Sequence, residues 1–217
     1  PILKKMALKG GKTLLALLLD LLNVHIHPDL VVMTRDELVA DVLHEVLDPN
    51  GRVNQGAAGT CVPTSIQTML ITVNPAEYVR LQVGWLSSEG KVELANGTII
   101  ALPRGVLQVA RYSQPGAPAS TGFYARNYAE LAFQASAIKY AHAGNFPADT
   151  GNEASAKAMF DYVHKNGLFP DQTKRLLDAL FAVTFTGSAV APTNSSTTVS
   201  IQNSIADGLF AAIPAKQ

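Results

Sequence analysis

Apolar residues recur at helical spacing along much of this chain, and they predict a protein built mainly from helices. A first apolar run covers residues 14–22. Thr34–Glu37 has the Thr-x-x-Glu order of a capping box and predicts the start of a second helix, and Asn74–Glu77 predicts the start of another that extends to about residue 86. The same spacing predicts helices over residues 124–141, 154–166, 171–183 and 200–212.

Alternating apolar and polar residues predict one β-hairpin. Residues 91–94 and 98–102 flank Ala95-Asn96-Gly97, a turn sequence that favours tight hairpins. Residues 113–120 are rich in proline, glycine and serine and predict a loop. The fold class expected is therefore α+β, with an N-terminal helical segment at 1–50 and a domain at 51–217 that carries the candidate chemistry.

The chain contains one cysteine, Cys61, and it lies where a further helix is predicted to begin. Thr60 is a residue type that caps helices, Pro63 is tolerated in a first turn, and the apolar run 66–70 follows at helical spacing. Unpaired N–H groups and the helix dipole stabilise a negative charge at such a position. We therefore expect the Cys61 thiolate to be a nucleophile near neutral pH.

Acyl transfer through a thiolate also requires a donor that stabilises the oxyanion on the attacked carbonyl. Gln55 lies six residues before Cys61, across a loop of glycines and alanines. The small side chains of that loop allow the backbone to double back. Gln55 is therefore a candidate oxyanion donor.

The segment 55–65 resembles the active-site signature of papain-like cysteine peptidases, Gln-Gly-x-Cys-Gly-Ser-Cys-Trp-x-x-Ser. The matching residues are Gln55, Gly56, Gly59, Cys61 and Ser65, and Thr60 replaces the serine before the nucleophile. The departures are Ala58 for the first cysteine, Val62 for the tryptophan, and Pro63-Thr64 before the serine. The resemblance covers eleven of the 217 residues.

The resemblance implies a papain-like fold, in which a cleft between a helical part and a β-rich part holds the nucleophile. It also implies a cysteine peptidase or amidase that acts on a peptide or protein substrate. Cys61 would attack the carbonyl, and Gln55 together with the Cys61 backbone N–H would hold the oxyanion. An acyltransferase or transglutaminase-like enzyme would use the same thioester chemistry with an amine as acceptor.

The histidine that pairs with such a cysteine comes after it, on a strand, in papain-like enzymes. Only His142 and His164 follow Cys61, and both fall on predicted helices. We therefore expect the histidine beyond Gln217 or on a second chain, and an opening Pro1 in place of Met fits a processed product or an excised domain. Without a histidine, the chain would be an inactive papain-like binding module or one half of a split enzyme.

An alternative places the histidine before the cysteine, as in proteases of ubiquitin-like modifiers. His25 or His27, with Asp29 or Asp36, would fill that order. About 35 residues separate these groups from Cys61, which is short for an intervening sheet.

Composition limits the other function classes. Seventeen basic and seventeen acidic residues give a formal net charge of zero, so the whole chain has no net field for nucleic acid or an anionic membrane. A single cysteine excludes an intrachain disulfide and a cysteine-built zinc site, which fits a reducing compartment.

Four lysines between Lys4 and Lys12 precede the apolar run 14–22, in the outline of a signal peptide. The run is about half of the ~20 residues that a membrane span needs, and it contains Asp20. We expect a helix that is buried or covered by a partner, and no membrane span.

His25, His27 and Asp29 offer side chains of the kinds that bind zinc or iron. A further histidine would be expected next, but Leu30 occupies that position. We expect a surface loop there, with no metal or other cofactor, and a solvent-exposed His44 on the polar face of its helix.

Overall fold

The computed structural model describes residues 2–30, 34–53, 60–103, 106–107, 127–142 and 167–182. The helices in these ranges are a short 3-10 helix at Ile2–Lys4 and α1 (Leu14–Asn23), α2 (Arg35–Leu47), α3 (Pro49–Arg52), α4 (Cys61–Val73), α5 (Pro75–Trp85), α6 (Tyr128–His142) and α7 (Pro170–Phe181). The strands β1 (Lys91–Glu93) and β2 (Ile99–Ala101) pair antiparallel. A helix-rich chain with a small antiparallel sheet confirms the predicted α+β class.

Helix α5 is the central element of the described core, since it contacts α1, α2, α4, α6 and β1. It begins as predicted, because the Asn74 side chain accepts a hydrogen bond from the Glu77 backbone N–H at 3.0 Å and Pro75 occupies the first turn. Trp85 meets Phe133 of α6 edge to face, with ring centroids 5.8 Å apart. Aromatic packing therefore joins α5 to α6.

The capping box predicted for α2 is confirmed. The Thr34 hydroxyl accepts from the Glu37 N–H at 3.3 Å, and the Glu37 carboxylate accepts from the Thr34 N–H at 2.8 Å. Leu38 and Val42 are buried, and His44 is exposed as expected. After this helix, the chain forms the four-residue helix α3.

The predicted hairpin is also confirmed, with Val92 opposite Ile100 and both side chains buried. It packs directly on α5 at Gly84. A Cβ atom at this position would lie 2.6 Å from Val92 Cβ and 2.9 Å from the Lys91 carbonyl oxygen. Glycine therefore allows the close approach of helix and hairpin.

The N-terminal residues fold back along α1, which packs on α5. Leu14, Leu17, Leu18 and Leu21 are buried on one side of α1, so the helix predicted from the apolar run is confirmed. In the described part of the chain, none of the helices combines the length and the apolar character that crossing a lipid bilayer demands.

Two helix boundaries differ from the sequence prediction. Asn127 lies outside α6 and caps it, because its side chain accepts from the Glu130 N–H at 2.8 Å while the Glu130 carboxylate accepts from the Asn127 N–H at 2.9 Å. Helix α7 ends at Phe181 because Ala182 adopts a left-handed conformation with φ 51°. The predicted loop 113–120 and helices 154–166 and 200–212 lie outside the described residues.

Candidate active site around Cys61

Cys61 is the first residue of α4, and its side chain is exposed. Ile66, Leu70 and Ile71 anchor the same helix in the core, so the thiol projects from a fixed element. The predicted start of a helix at Cys61 is confirmed. Its exposure leaves Cys61 accessible to solvent.

The predicted capping role of Thr60 is wrong. Its side chain is fully buried and makes no capping hydrogen bond. The backbone of Thr60 explains this, since φ −100° and ψ 21° differ from the extended conformation that an N-cap side chain requires. The side-chain oxygen of Thr60 therefore does not occupy the N–H groups at the start of α4.

The start of α4 carries no negative side chain. The first turn contains no acidic residue, so no carboxylate opposes a thiolate there. The first N–H groups of a helix lack intrahelical partners and lie at the positive end of its dipole. This arrangement can stabilise a thiolate and, in the same place, an oxyanion on an attacked carbonyl.

Gln55, the predicted oxyanion donor, belongs to residues 54–59 and lies outside the described residues. The same is true of Gly56 and Gly59, two further residues that match the signature. The role of Gln55 stays a prediction.

His142, the first candidate for the catalytic histidine, has a structural position at the end of α6. Its side chain is buried, Nε2 lies 3.0 Å from the Gly167 carbonyl oxygen, and Nδ1 lies 3.2 Å from Gln172 Nε2. The Gly167 carbonyl oxygen is an acceptor and the Gln172 amide nitrogen is a donor, so both ring nitrogens have partners. His142 thus joins the end of α6 to the start of α7, while His164 lies outside the described residues.

The histidines that precede Cys61 are placed elsewhere on the fold. His27 is half-buried, its Nδ1 accepts from the Asp29 N–H at 3.2 Å, and burial lowers the pKa of its imidazole. His25 and His44 are exposed. None of the histidines in the described ranges hydrogen-bonds to the Cys61 sulfur, and these ranges hold no group of three side chains suited to a metal ion.

A set of polar side chains in the core was not predicted from the sequence. Five buried members and the half-buried Asn127 make up this set, here named the buried polar cluster: Glu45, Gln67, Tyr78, Gln82, Asn127 and Gln134. Glu45 Oε2 accepts from the Tyr78 hydroxyl and, at 2.9 Å, from Gln67 Nε2. Glu45 Oε1 accepts from Asn127 Nδ2 at 2.6 Å. One carboxyl group thus collects donors from three other segments.

The remaining contacts extend the buried polar cluster across α5 and α6. Gln82 Nε2 donates to the Tyr78 oxygen at 2.9 Å and to the Ala129 carbonyl oxygen at 3.0 Å. Gln134 Nε2 donates to Gln67 Oε1 at 3.2 Å. These bonds tie α2, α4, α5 and α6 together in one network.

Burial raises the pKa of Glu45 to about 8, and the nearby Glu130 carboxylate contributes to that rise. The donors Tyr78 and Asn127 act in the opposite direction, but desolvation is the larger effect. Burial and the proximity of Glu45 likewise raise the pKa of Tyr78 well above its ordinary value of 10. Glu45 therefore keeps its proton to a higher pH than an ordinary glutamate does.

The buried polar cluster is connected to Cys61 through helix α4, which contains both Gln67 and Cys61. Gln67 follows Cys61 by six residues, which is ~9 Å along the helix axis. The hydrogen bonds of Gln67 thus fix the helix that presents Cys61. The sequence contains one indication that Glu45 is buried. Glu45 lies at helical spacing from Leu38 and Val42, so the three residues share one face of α2.

The similarity to a known active site thus rests on the short segment around Cys61. The described part of that segment contributes an exposed thiol at a helix start, and the buried polar cluster lies outside the signature altogether. Comparisons with protein-family models, with curated proteins and with solved structures find no match to this chain.

Proposed function

We propose that this chain is a papain-like, thiol-dependent hydrolase of peptide or amide bonds, with Cys61 as its nucleophile and Gln55 as an oxyanion donor. One observation carries the proposal: the exposed Cys61 thiol occupies the first position of a 13-residue helix. The buried Thr60 side chain does not cap that helix, and no acidic residue lies in its first turn. These features leave the start of the helix open to a reacting group that carries negative charge.

The reaction follows from this position. The Cys61 thiolate adds to the carbonyl carbon, and the tetrahedral oxyanion accepts hydrogen bonds from Gln55 and the Cys61 N–H. The C–N bond then breaks, the amine leaves with a proton from a general acid, and a thioester remains. Water attacks the thioester, which releases the carboxylic acid and restores the thiol.

The proton must come from a group other than His142, because both ring nitrogens of His142 already have partners. We propose that a histidine outside the described residues, on this chain or on a second one, fills this role. A second chain that supplies the histidine would make this chain one half of a split enzyme.

Alkylation of Cys61 by iodoacetamide, followed by intact-mass spectrometry, tests the nucleophile directly. Because the chain has one cysteine, every added mass reports Cys61. We expect folded protein to react at about pH 6 much faster than the same chain unfolded in guanidinium, where helix α4 is absent. The unfolded chain serves as the control, since it carries the same single thiol without helix α4.

Equal alkylation profiles for the folded and unfolded chains would contradict the proposal. In that case Cys61 is an ordinary surface thiol. Activity is measured on a mixture of peptide and amide substrates, with Cys61→Ala as the inactive control. An added primary amine separates hydrolysis from transfer, because a transferase converts the thioester into a new amide.

Both ring nitrogens of His142 have hydrogen-bond partners, which favours a second candidate function. In this candidate, a papain-like fold binds peptides without cleaving them. This candidate predicts retention of a peptide by the Cys61→Ala variant with the same affinity as by the native chain, and no product from either. Rapid alkylation at about pH 6 together with product formation would exclude it.

A further inference from the structure

Exposed aliphatic side chains are concentrated in the N-terminal 22 residues. Seven of the ten large apolar side chains exposed in the described residues lie there, so the concentration is not the usual scatter of surface apolar groups. They form the N-terminal patch: Ile2, Leu3, Met6, Leu8, Leu15, Leu19 and Leu22, each exposed by 39–55 %. Such a patch indicates an interaction surface.

The N-terminal patch has a defined backbone framework. Leu15, Leu19 and Leu22 have the spacing of one helical face, opposite the side of α1 that packs on α5. Met6 pairs with Thr13 in an isolated antiparallel bridge, and the 3-10 helix at Ile2–Lys4 contacts α1. Residues 2–8 and the outer face of α1 therefore lie side by side.

Positive charge accompanies the N-terminal patch. Its segment contains four lysines, and no acidic residue precedes Asp20. Lys9 pairs with Glu93 and Lys12 with Asp20. Lys4 and Lys5 form no ion pair with any described residue, so two charges are available at the edge of the patch.

The composition of the N-terminal patch separates two kinds of partner. Protein interfaces are enriched in aromatic residues, methionine and arginine and depleted in lysine. The N-terminal patch holds one methionine, Met6, but no aromatic residue and no arginine, and four lysines lie in its segment. Aliphatic side chains beside lysines are typical of segments that lie on anionic lipid. The lysine stems lie along the apolar surface, and their charged ends stay in water near the lipid headgroups.

We propose that the N-terminal patch docks on the surface of an anionic lipid bilayer. The aliphatic side chains enter the headgroup region, and Lys4 and Lys5 contact the lipid phosphates. The net charge of zero for the whole chain is compatible with this docking, because attraction to the surface falls off within a Debye length of about 10 Å and so depends on the nearest charges. This docking does not depend on the chemistry of Cys61.

Co-sedimentation with lipid vesicles tests the proposal. Vesicles of phosphatidylcholine alone are compared with vesicles that contain about 30 mol % phosphatidylglycerol. We expect at least roughly tenfold stronger partitioning onto the anionic vesicles, weakening as salt is added. The double variant Lys4→Gln/Lys5→Gln should lose on the order of 25-fold, about fivefold for each lysine.

Matched variants separate the patch from general surface effects. Leu15→Gln/Leu19→Gln should weaken partitioning by tenfold or more, which is roughly the effect of no longer burying one leucine side chain. Arg35→Gln/Arg52→Gln removes two positive charges from other exposed segments, and Leu47→Gln/Ile99→Gln removes apolar groups that are 74 % and 65 % exposed. Both control pairs should bind like the native chain. Fluorescence of the buried Trp85 verifies that each variant is folded.

Several results would overturn the proposal. These are the absence of vesicle binding, equal binding to both kinds of vesicle, and equal losses in the control variants. A dimer that Leu15→Gln/Leu19→Gln dissociates, without vesicle binding, would identify a second copy of this chain as the occupant. Binding to polyglutamate but not to vesicles would identify an acidic protein partner instead. The Cys61→Ala variant should bind vesicles normally, which keeps this test separate from the proposed hydrolysis.

Discussion

Cys61 and His142 both lie at helix ends, but their surroundings give them different roles. Cys61 is exposed at the start of α4, whereas His142 is buried at the end of α6 with partners on both ring nitrogens. A nucleophile must be exposed to its substrate, as Cys61 is to solvent. An imidazole whose two nitrogens both have hydrogen-bond partners has no nitrogen left to accept a proton from a thiol.

Replacement of His142 by alanine should destabilise the fold without affecting the thiol. The change removes the donor to the Gly167 carbonyl and the acceptor of the Gln172 amide. We expect the free energy of unfolding to fall by ~1–3 kcal/mol, because buried polar groups lose their partners. The alkylation rate of Cys61 near pH 6 should remain that of the native chain.

The companion variant Gln172→Ala removes the contact to Nδ1 together with the capping bond from the Phe169 N–H to Gln172 Oε1 at 2.8 Å, and it leaves the bond to Gly167 in place. It should also leave the alkylation rate of Cys61 unchanged, because it removes no contact of the thiol. A fall of the alkylation rate in folded His142→Ala to the rate of the unfolded chain would contradict the structural role and make His142 the base.

The helices and strands differ in how accurately local sequence predicts their bounds. The hairpin and α5 were predicted with nearly correct bounds, because a turn sequence and a cap are local signals. The predicted start of α6 at residue 124 is too early, because apolar residues alone do not show that Asn127 caps the helix. Helix α4 was predicted at the right residue, but its expected Thr60 cap depends on a backbone conformation that the sequence does not reveal.

The buried polar cluster shows why part of the candidate site escaped prediction. Glu45 receives hydrogen bonds from Gln67, 22 residues away, and from Asn127, 82 residues away. Periodicity describes one helix at a time and gives no information about which helices meet. Cys61 was found because its signal is local, whereas the network that fixes α4 depends on long-range contacts.

A substitution at Gly84 tests how helix α5 meets the hairpin. Alanine has the higher helix propensity and would by itself stabilise α5 by about 1 kcal/mol. The added Cβ would instead collide with Val92 Cβ and the Lys91 carbonyl oxygen. We expect Gly84→Ala to lower the free energy of unfolding by ~1–3 kcal/mol, measured by guanidinium denaturation.

The sign of this change is the decisive result. A stability equal to or above that of the native chain would mean that helix and hairpin separate without cost, contrary to the packing described. Val92→Ala in the same background removes Val92 Cγ2 but leaves Val92 Cβ and the Lys91 carbonyl oxygen, which the added Cβ would still meet. It should therefore restore little of the lost stability.

At the scale of the whole molecule, the buried polar cluster couples the helical core to pH. Glu45 accepts hydrogen bonds from α4, from α5 and from Asn127 before α6, so its protonation state affects the packing of four helices. The helix that presents Cys61 is among them. Global stability and the position of the candidate nucleophile thus depend on the same carboxyl group.

The stability of the native chain should contain a component that decreases as the pH rises from about 5 to about 8. The pKa of Glu45 is raised from its ordinary value of 4.5 to about 8 by burial. Between these values the folded chain retains a proton that the unfolded chain has lost, so unfolding releases a proton. The free energy of unfolding from this group then falls by roughly 1 kcal/mol per pH unit.

The variant Glu45→Gln isolates this component, because glutamine has nearly the shape of the protonated carboxyl group and does not ionise in this range. Denaturation followed by the fluorescence of Trp85 should show a difference between native and variant stability that changes by roughly 3 kcal/mol across the window. His27 contributes with the opposite sign, since its pKa is lowered and its stabilising effect grows as the pH rises, but it is identical in both proteins. A difference that stays constant with pH would mean that Glu45 ionises normally in the fold. In that case the core around α4 would hold a carboxylate, and the three donors that surround it would stabilise charge rather than accommodate a neutral acid.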